Sequence, residues 1–240
     1  MKRSETFKTL PFAPGCAIAV FGIAGFGALA LALWQQSGAV LTGHLIVLLL
    51  LATVTARAKA KLCRGTTISF LTAIVLMAVI RDSAAVAIIS AIWGVTVQTV
   101  SLSKKVILHR IIFNAGMIAL TVAAASWNYR ALATSNPSAQ LIPTTGILAT
   151  IMAALVYFAG NSISISFIIA VTQRVSMFEV WIKHFMYSAQ SFLLAGLVAF
   201  FLILLATTTF QFMPAVVTLA IVLAYYCAIR HAAQQSTAQV

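Results

Sequence analysis

The chain has 240 residues, 62% of them hydrophobic and only 8% charged, with a mean hydropathy of +1.06. A soluble domain of this length needs far more polar surface to face water, and the sequence lacks the short alternating segments of an outer-membrane barrel. The formal charge of +12 is spread over short stretches between apolar runs and is not gathered on one face, which excludes a nucleic-acid-binding domain.

Repeated apolar runs near or above bilayer-spanning length predict an all-α, polytopic membrane bundle of about eight helices. Residues 1–14 form a short cytoplasmic head, 15–229 a single transmembrane bundle, and 230–240 a cytoplasmic tail too short to fold alone. Segment one, Gly15 to Trp34, lacks a small-residue cleavage site before QQSG and reads as a retained helix. Its Ala24, Ala28 and Ala32, at every fourth position, suggest a close-packing helix face. Segment two covers Ala39 to Ala56, and the basic loop RAKAKLCR follows it. Segment three, Thr66 to Ile80, is short and ends at Arg81-Asp82, a pair expected to close a surface turn. Segment four covers Ser83 to Ser101, and segment five Ile111 to Trp127 after SKKVILHR.

The longest connection, NYRALATSNPSAQLIPTT, carries an Asn-Pro turn signal. Segment six, Gly146 to Thr172, would be about 40 Å long at ~1.5 Å per residue, so it must tilt, protrude or break. Gly160-Asn161 marks the expected break. QRVSMFEVWIKHF reads as an amphipathic interfacial turn or short helix. Segments seven (Phe185 to Ala206) and eight (Met213 to Ile229) complete the series.

Charge tests this map. With the N-terminus inside, 13 Lys and Arg residues fall on the inner side and two, Arg81 and Arg130, on the outer. That bias predicts both termini in the cytoplasm of a cell whose inner membrane holds the protein. Fusing segments three and four would spoil the alternation.

Catalytic side chains are scarce. The carboxylates are Glu5, Asp82 and Glu179, with no pair spaced for acid-base work or cation binding. The histidines, His44, His109, His184 and His231, show no HExxH spacing, and Cys16, Cys63 and Cys227 no CxxC. No catalysis, metal site or cofactor is therefore expected.

Neutral polar residues inside apolar helices are what remains. Asn114 lies four residues beyond Arg110, which can snorkel to inner headgroups. On segment six Tyr157, Asn161 and Ser164 make one helical stripe. An Asn would not face lipid, so the two Asn-bearing stripes are expected to meet inside the bundle, either lining a ligand site or holding helices together. Gln98 in segment four and His44 in segment two are weaker additions to the same ligand-site hypothesis, and either one also suits an interhelical hydrogen bond.

The stretches GTTISFLTAIVLMAVI, RIIFNAGMIALTVAAA, LVYFAGNSISISFIIAV and SMFEVWIKHFMYS carry a resemblance. Over roughly residues 40 to 230 the chain resembles a multi-helix sensor-like module of bacterial signalling proteins. Phe113-Asn114-Ala115, Tyr157-Phe158 with Asn161, and Trp181 bear it most specifically. In that family the module usually precedes an HD-GYP phosphohydrolase, a GGDEF diguanylate cyclase or a kinase. Here only eleven residues follow segment eight, a departure that implies either a stand-alone module acting through a partner or a relative with another task. The resemblance thus implies membrane sensing or ligand binding, with the bilayer, a protein in the membrane or cytoplasm, and a small molecule as partners. Two other classes stay open. One is a substrate-binding subunit of a transporter, similar to the S-components of energy-coupling-factor systems. The other is a structural subunit of a membrane complex.

Overall fold

The computed structural model describes residues 12–36, 40, 43–56, 59–61, 67–102, 107–134 and 143–208. The expected eighth segment, Met213 to Ile229, lies outside these residues, as do the ends of the chain. The helices are α1 (Phe12–Trp34), α2 (Gly43–Thr55), α3 (Phe70–Arg81), α4 (Ala84–Leu102), α5 (Leu108–Thr134), α6 (Pro143–Gln173), α7 (Met177–His184) and α8 (Ala189–Thr208). A 3-10 turn, Met186–Ser188, joins the last two. Helix is interrupted by one small antiparallel pair, β1 (Lys59–Lys61) and β2 (Thr67–Ser69), with Ala60 opposite Ile68.

Among the described residues five helices are long and apolar enough to cross a membrane: α1, α4, α5, α6, and α8 with the turn before it. That fits a multi-pass integral membrane protein. α2 and α3, at 13 and 12 residues, measure about 20 and 18 Å, short of the ~30 Å hydrocarbon core. Segment three begins later than expected, because Thr67–Ser69 pair as a strand before the chain turns helical at Phe70. Segments three and four are separate helices, as expected.

α3 is the central pillar. Every residue from Leu71 to Val79 is buried, and α2, α4, α5 and α8 pack around it. A helix apolar on all sides finds a partner for each face only at the centre of a bundle. The outer helices show the opposite pattern. On α2, Ile46, Leu50 and Val54 form an exposed stripe while Leu45, Leu48 and Ala52 face inward. On α1, Val20, Ile23, Phe26 and Leu31 are exposed. Such apolar faces are unfavourable in water and cost nothing in lipid.

Since lipid removes the hydrophobic drive between helices, close packing must hold them together. α1 and α5 cross at Gly25 and Gly116, where a Cβ on either glycine would collide with the opposite backbone. The small face that α1 offers α5 is therefore Gly22 and Gly25. The expected Ala24-Ala28-Ala32 stripe does not serve there: Ala24 is exposed and Ala28 half-buried, with only Ala32 buried. α6 is likewise unbroken. It runs through Gly160-Asn161 as one 31-residue helix, about 46 Å long at ~1.5 Å per residue. Gly160 is needed for proximity: a Cβ there would meet Thr121 Oγ1 of α5 at 2.8 Å.

Three interhelical hydrogen bonds share one design. A hydroxyl donates back to a carbonyl of its own helix, so its oxygen is free only to accept. Thr53 donates to Leu49 O and accepts from Trp93 Nε1 (α2–α4, 2.8 Å). Thr99 donates to Val95 O and accepts from Asn114 Nδ2 (α4–α5, 3.0 Å). Ser162 donates to Ala159 O and accepts from Trp181 Nε1 (α6–α7, 2.9 Å).

Candidate functional site

The two ends of the bundle differ in chemistry. One end gathers the residues after α1, the start of α2, the α3–α4 turn and the last turns of α5. Here Ser83 caps α4, accepting the Val86 N–H at 3.3 Å and donating to Gln36 Oε1 at 2.6 Å. Asp82 Oδ1 lies 2.9 Å from His44 Nδ1, and Arg130 Nη2 donates to the Asp82 carbonyl at 3.1 Å. The Asp82 carboxylate at this turn is thus met by His44 of α2, with the Arg81 charge also favouring its ionised form. Burial pushes the Asp82 carboxyl above its ordinary value, with His44 and Arg81 opposing the shift. His44 therefore serves an interhelical contact at this end.

The other end holds a groove of about 430 Å³ between the start of α1, the start of α5 and the end of α6. Its polar lining is His109, Arg110 and Asn114 from α5 with Thr172 and Gln173 from α6. Its apolar walls are Pro14 and Ile18 of α1, Phe113 of α5, and Ile165, Ile168 and Ile169 of α6. The volume falls in the range of small-molecule sites, roughly 300–1,000 Å³. Phe21 borders the site region, its ring 5.2 Å from Phe113 and 6.2 Å from Phe167. On its far side lies a second groove of about 420 Å³, lined by Cys16, Val20, Phe167 and other apolar side chains.

Asn114 has two roles at once. Thr99 has already committed its hydroxyl proton to Val95, so Asn114 must present Nδ2, which fixes the amide's orientation. One N–H then ties α5 to α4. The carbonyl and second N–H of a groove-lining side chain remain for other partners.

Of the six residues singled out in the sequence, Asn114 alone lines the groove. Asn161 is half-buried and Ser164 buried, both deeper on α6. The reason is antiparallel register. Asn114 lies six residues into α5 and Asn161 twelve residues before α6 ends, about 9 and 18 Å from the same end. Asn114 is thus level with Ile168, not with Asn161. Tyr157 is in the core, its ring 5.6 Å from Phe192 of α8. Gln98 is half-buried, and the contact with Asn114 goes to its neighbour Thr99. Thr172 and Gln173 escaped the sequence reading because they stand at a segment end, where polar residues are ordinary.

The groove wall continues into the interfacial stretch. α6 ends in a Schellman turn: Val175 N–H reaches Ala170 O at 3.2 Å, with Arg174 left-handed at φ 57°. α7 follows, exposed except at Val180 and the half-buried Trp181. Trp181 packs against Phe158 and Phe178. On its outer side Glu179 and Lys183 pair at 2.6 Å, a bond that holds the Glu179 carboxyl below its usual range. The stretch expected to be amphipathic is therefore a short helix.

Among the described residues no group of three or more His, Cys, Asp or Glu side chains is placed to hold a metal ion. No family model, curated protein or solved structure matches this chain.

Proposed function

We propose that this chain is a non-enzymatic, sensor-type module of a bacterial inner membrane, which binds a small ligand in the Asn114 groove and acts through a partner protein. The observation that carries the reading is the groove itself, a cavity of about 430 Å³ in which polar side chains from two helices converge beside apolar walls. The scarcity of carboxylates in the sequence supports a role without catalysis, and the resemblance to sensor-like modules supports the same direction.

A route for output is at hand. Thr172 and Gln173 line the groove and lead directly through Arg174 into α7, whose Trp181 is bonded to Ser162. A ligand that displaces the end of α6 would tilt α7, the exposed element a partner can read. A structural subunit is the second reading, favoured by the Asn114–Thr99 bond, which accounts for Asn114 without any ligand.

Native mass spectrometry of the detergent-purified protein tests the choice. A stoichiometric small-molecule adduct, diminished in Ile168→Trp, is expected. Adduct-free protein, with Asn114→Leu more stable than wild type, would favour the structural subunit.

A further inference from the structure

The groove is amphipathic along its length, and that constrains its occupant. At its mouth stand His109 and Arg110 in the first turn of α5 and Thr172 and Gln173 in the last turn of α6, with Asn114 one turn further in. Deeper on α6 the wall becomes Ile165, Ile168 and Ile169. A ligand satisfying both regions has a polar head at the bundle end and an apolar tail pointing toward the membrane interior.

The sign of the head follows from charge. The lining contains a guanidinium and an imidazole but no carboxylate. Among the described residues the only carboxylates are Asp82, at the opposite end, and Glu179, which is paired with Lys183. The cation at the mouth is thus not neutralised from within. An anionic head would take charge-assisted hydrogen bonds from Arg110, with the Asn114 amide and the Gln173 side chain as further donors. The volume, at the smaller end of the range for ligand sites, suits one alkyl chain and not two.

Resting on the ligand-binding reading above, we infer that the Asn114 groove binds a single-chain anionic lipid, its carboxylate at Arg110 and its tail along the α6 isoleucines. The source is the surrounding leaflet, since the isoleucine wall belongs to a helix long and apolar enough to cross a membrane. A soluble carboxylate or free phosphate lacks the tail that the isoleucine wall demands.

The test uses the full chain in phosphatidylcholine nanodiscs and radiolabelled palmitate, with protein-free discs as background. Saturable palmitate binding is expected, at least about tenfold tighter than that of the alcohol of equal chain length. The ratio reflects the strength of a charge-assisted hydrogen bond. Arg110→Gln should abolish the preference, while Arg110→Lys retains part of it. Excess acetate or inorganic phosphate should not compete.

Equal binding of palmitate and its alcohol would overturn the anionic head while leaving a ligand groove in place. Competition by acetate or phosphate would overturn the lipid tail. If neither amphiphile binds above background, and native mass spectrometry finds no adduct, the ligand-binding reading itself falls. The acid-alcohol comparison needs only the wild-type protein, so a misfolded variant cannot obscure the result.

Discussion

At the scale of single residues, the bundle uses hydroxyls that bond back to their own helix as acceptors for the next. Each such bond removes one unpaired N–H from an apolar environment. Bonds of this kind between membrane helices contribute modestly, about 0.6 kcal/mol on average and up to ~1.7. Thr53→Val and Trp93→Phe should each lower unfolding stability by about that amount. In a double-mutant cycle the coupling between them should be of the same size, measured by denaturant titration in mixed micelles. Arg174 offers a second check. A side chain in the left-handed region is strained, and a β-branched one more so. Arg174→Val should lower the melting temperature, by the equivalent of about 1 kcal/mol, while Arg174→Gly should leave it level or raise it.

Asp82 gives a pH signature with a definite sign. Its carboxyl is raised above the ordinary value of 3.8, so the folded protein holds this proton more tightly than the unfolded chain. The associated stability is complete below the ordinary value and is lost as pH climbs through the raised one. The groups that face it are His44, Arg81 and Arg130. Wild-type stability should therefore fall as pH rises through that interval. Asp82→Asn should flatten the fall, as read by thermal unfolding at stepped pH.

Among the helices, contact is decided by where side chains are missing. Gly25 and Gly116 let α1 and α5 touch backbone to backbone. Gly116→Ala should cost about 1–3 kcal/mol, the usual penalty of overpacking, because backbone cannot yield as a flexible side chain can. Ala24→Leu, on an exposed position, should change little. If the two variants unfold alike, the crossing is not at Gly116. α3 shows the same logic from the opposite side: its short length is tolerable because its neighbours, and not lipid, surround it. Hydropathy alone makes Leu71–Val79 look like any spanning segment, since a protein interior and a bilayer are equally apolar.

For the molecule as a whole, the two ends of the bundle gather different residues. Gln36, His44, Asp82, Ser83 and Arg130 meet at one end, and the α5 start meets the α6 end at the other. The charge bias of the sequence predicts that the second end is the cytoplasmic one. Alkaline phosphatase inserted at the Asp82-Ser83 turn should be active in the periplasm, and green fluorescent protein fused after Val240 should fluoresce. Phosphatase activity after Val240 would overturn an even number of spans with both termini inside.

Composition and the spacing of apolar runs, by themselves, determined an integral helical bundle, the separation of α3 from α4 and the amphipathic character of α7. These depend on period, length and transfer energy, which are local properties of the chain. Tertiary structure alone decided that α3 is enclosed, that glycines and not the alanine stripe make the α1 crossing, and that α6 runs unbroken through Gly160. It also separated Asn114 from Asn161. Both residues sit on adjacent helices, but antiparallel register places them at different depths, and no pattern within one helix encodes the offset between two. Asn114 therefore belongs to a groove with Arg110, Thr172 and Gln173, and its amide is held in orientation by Thr99.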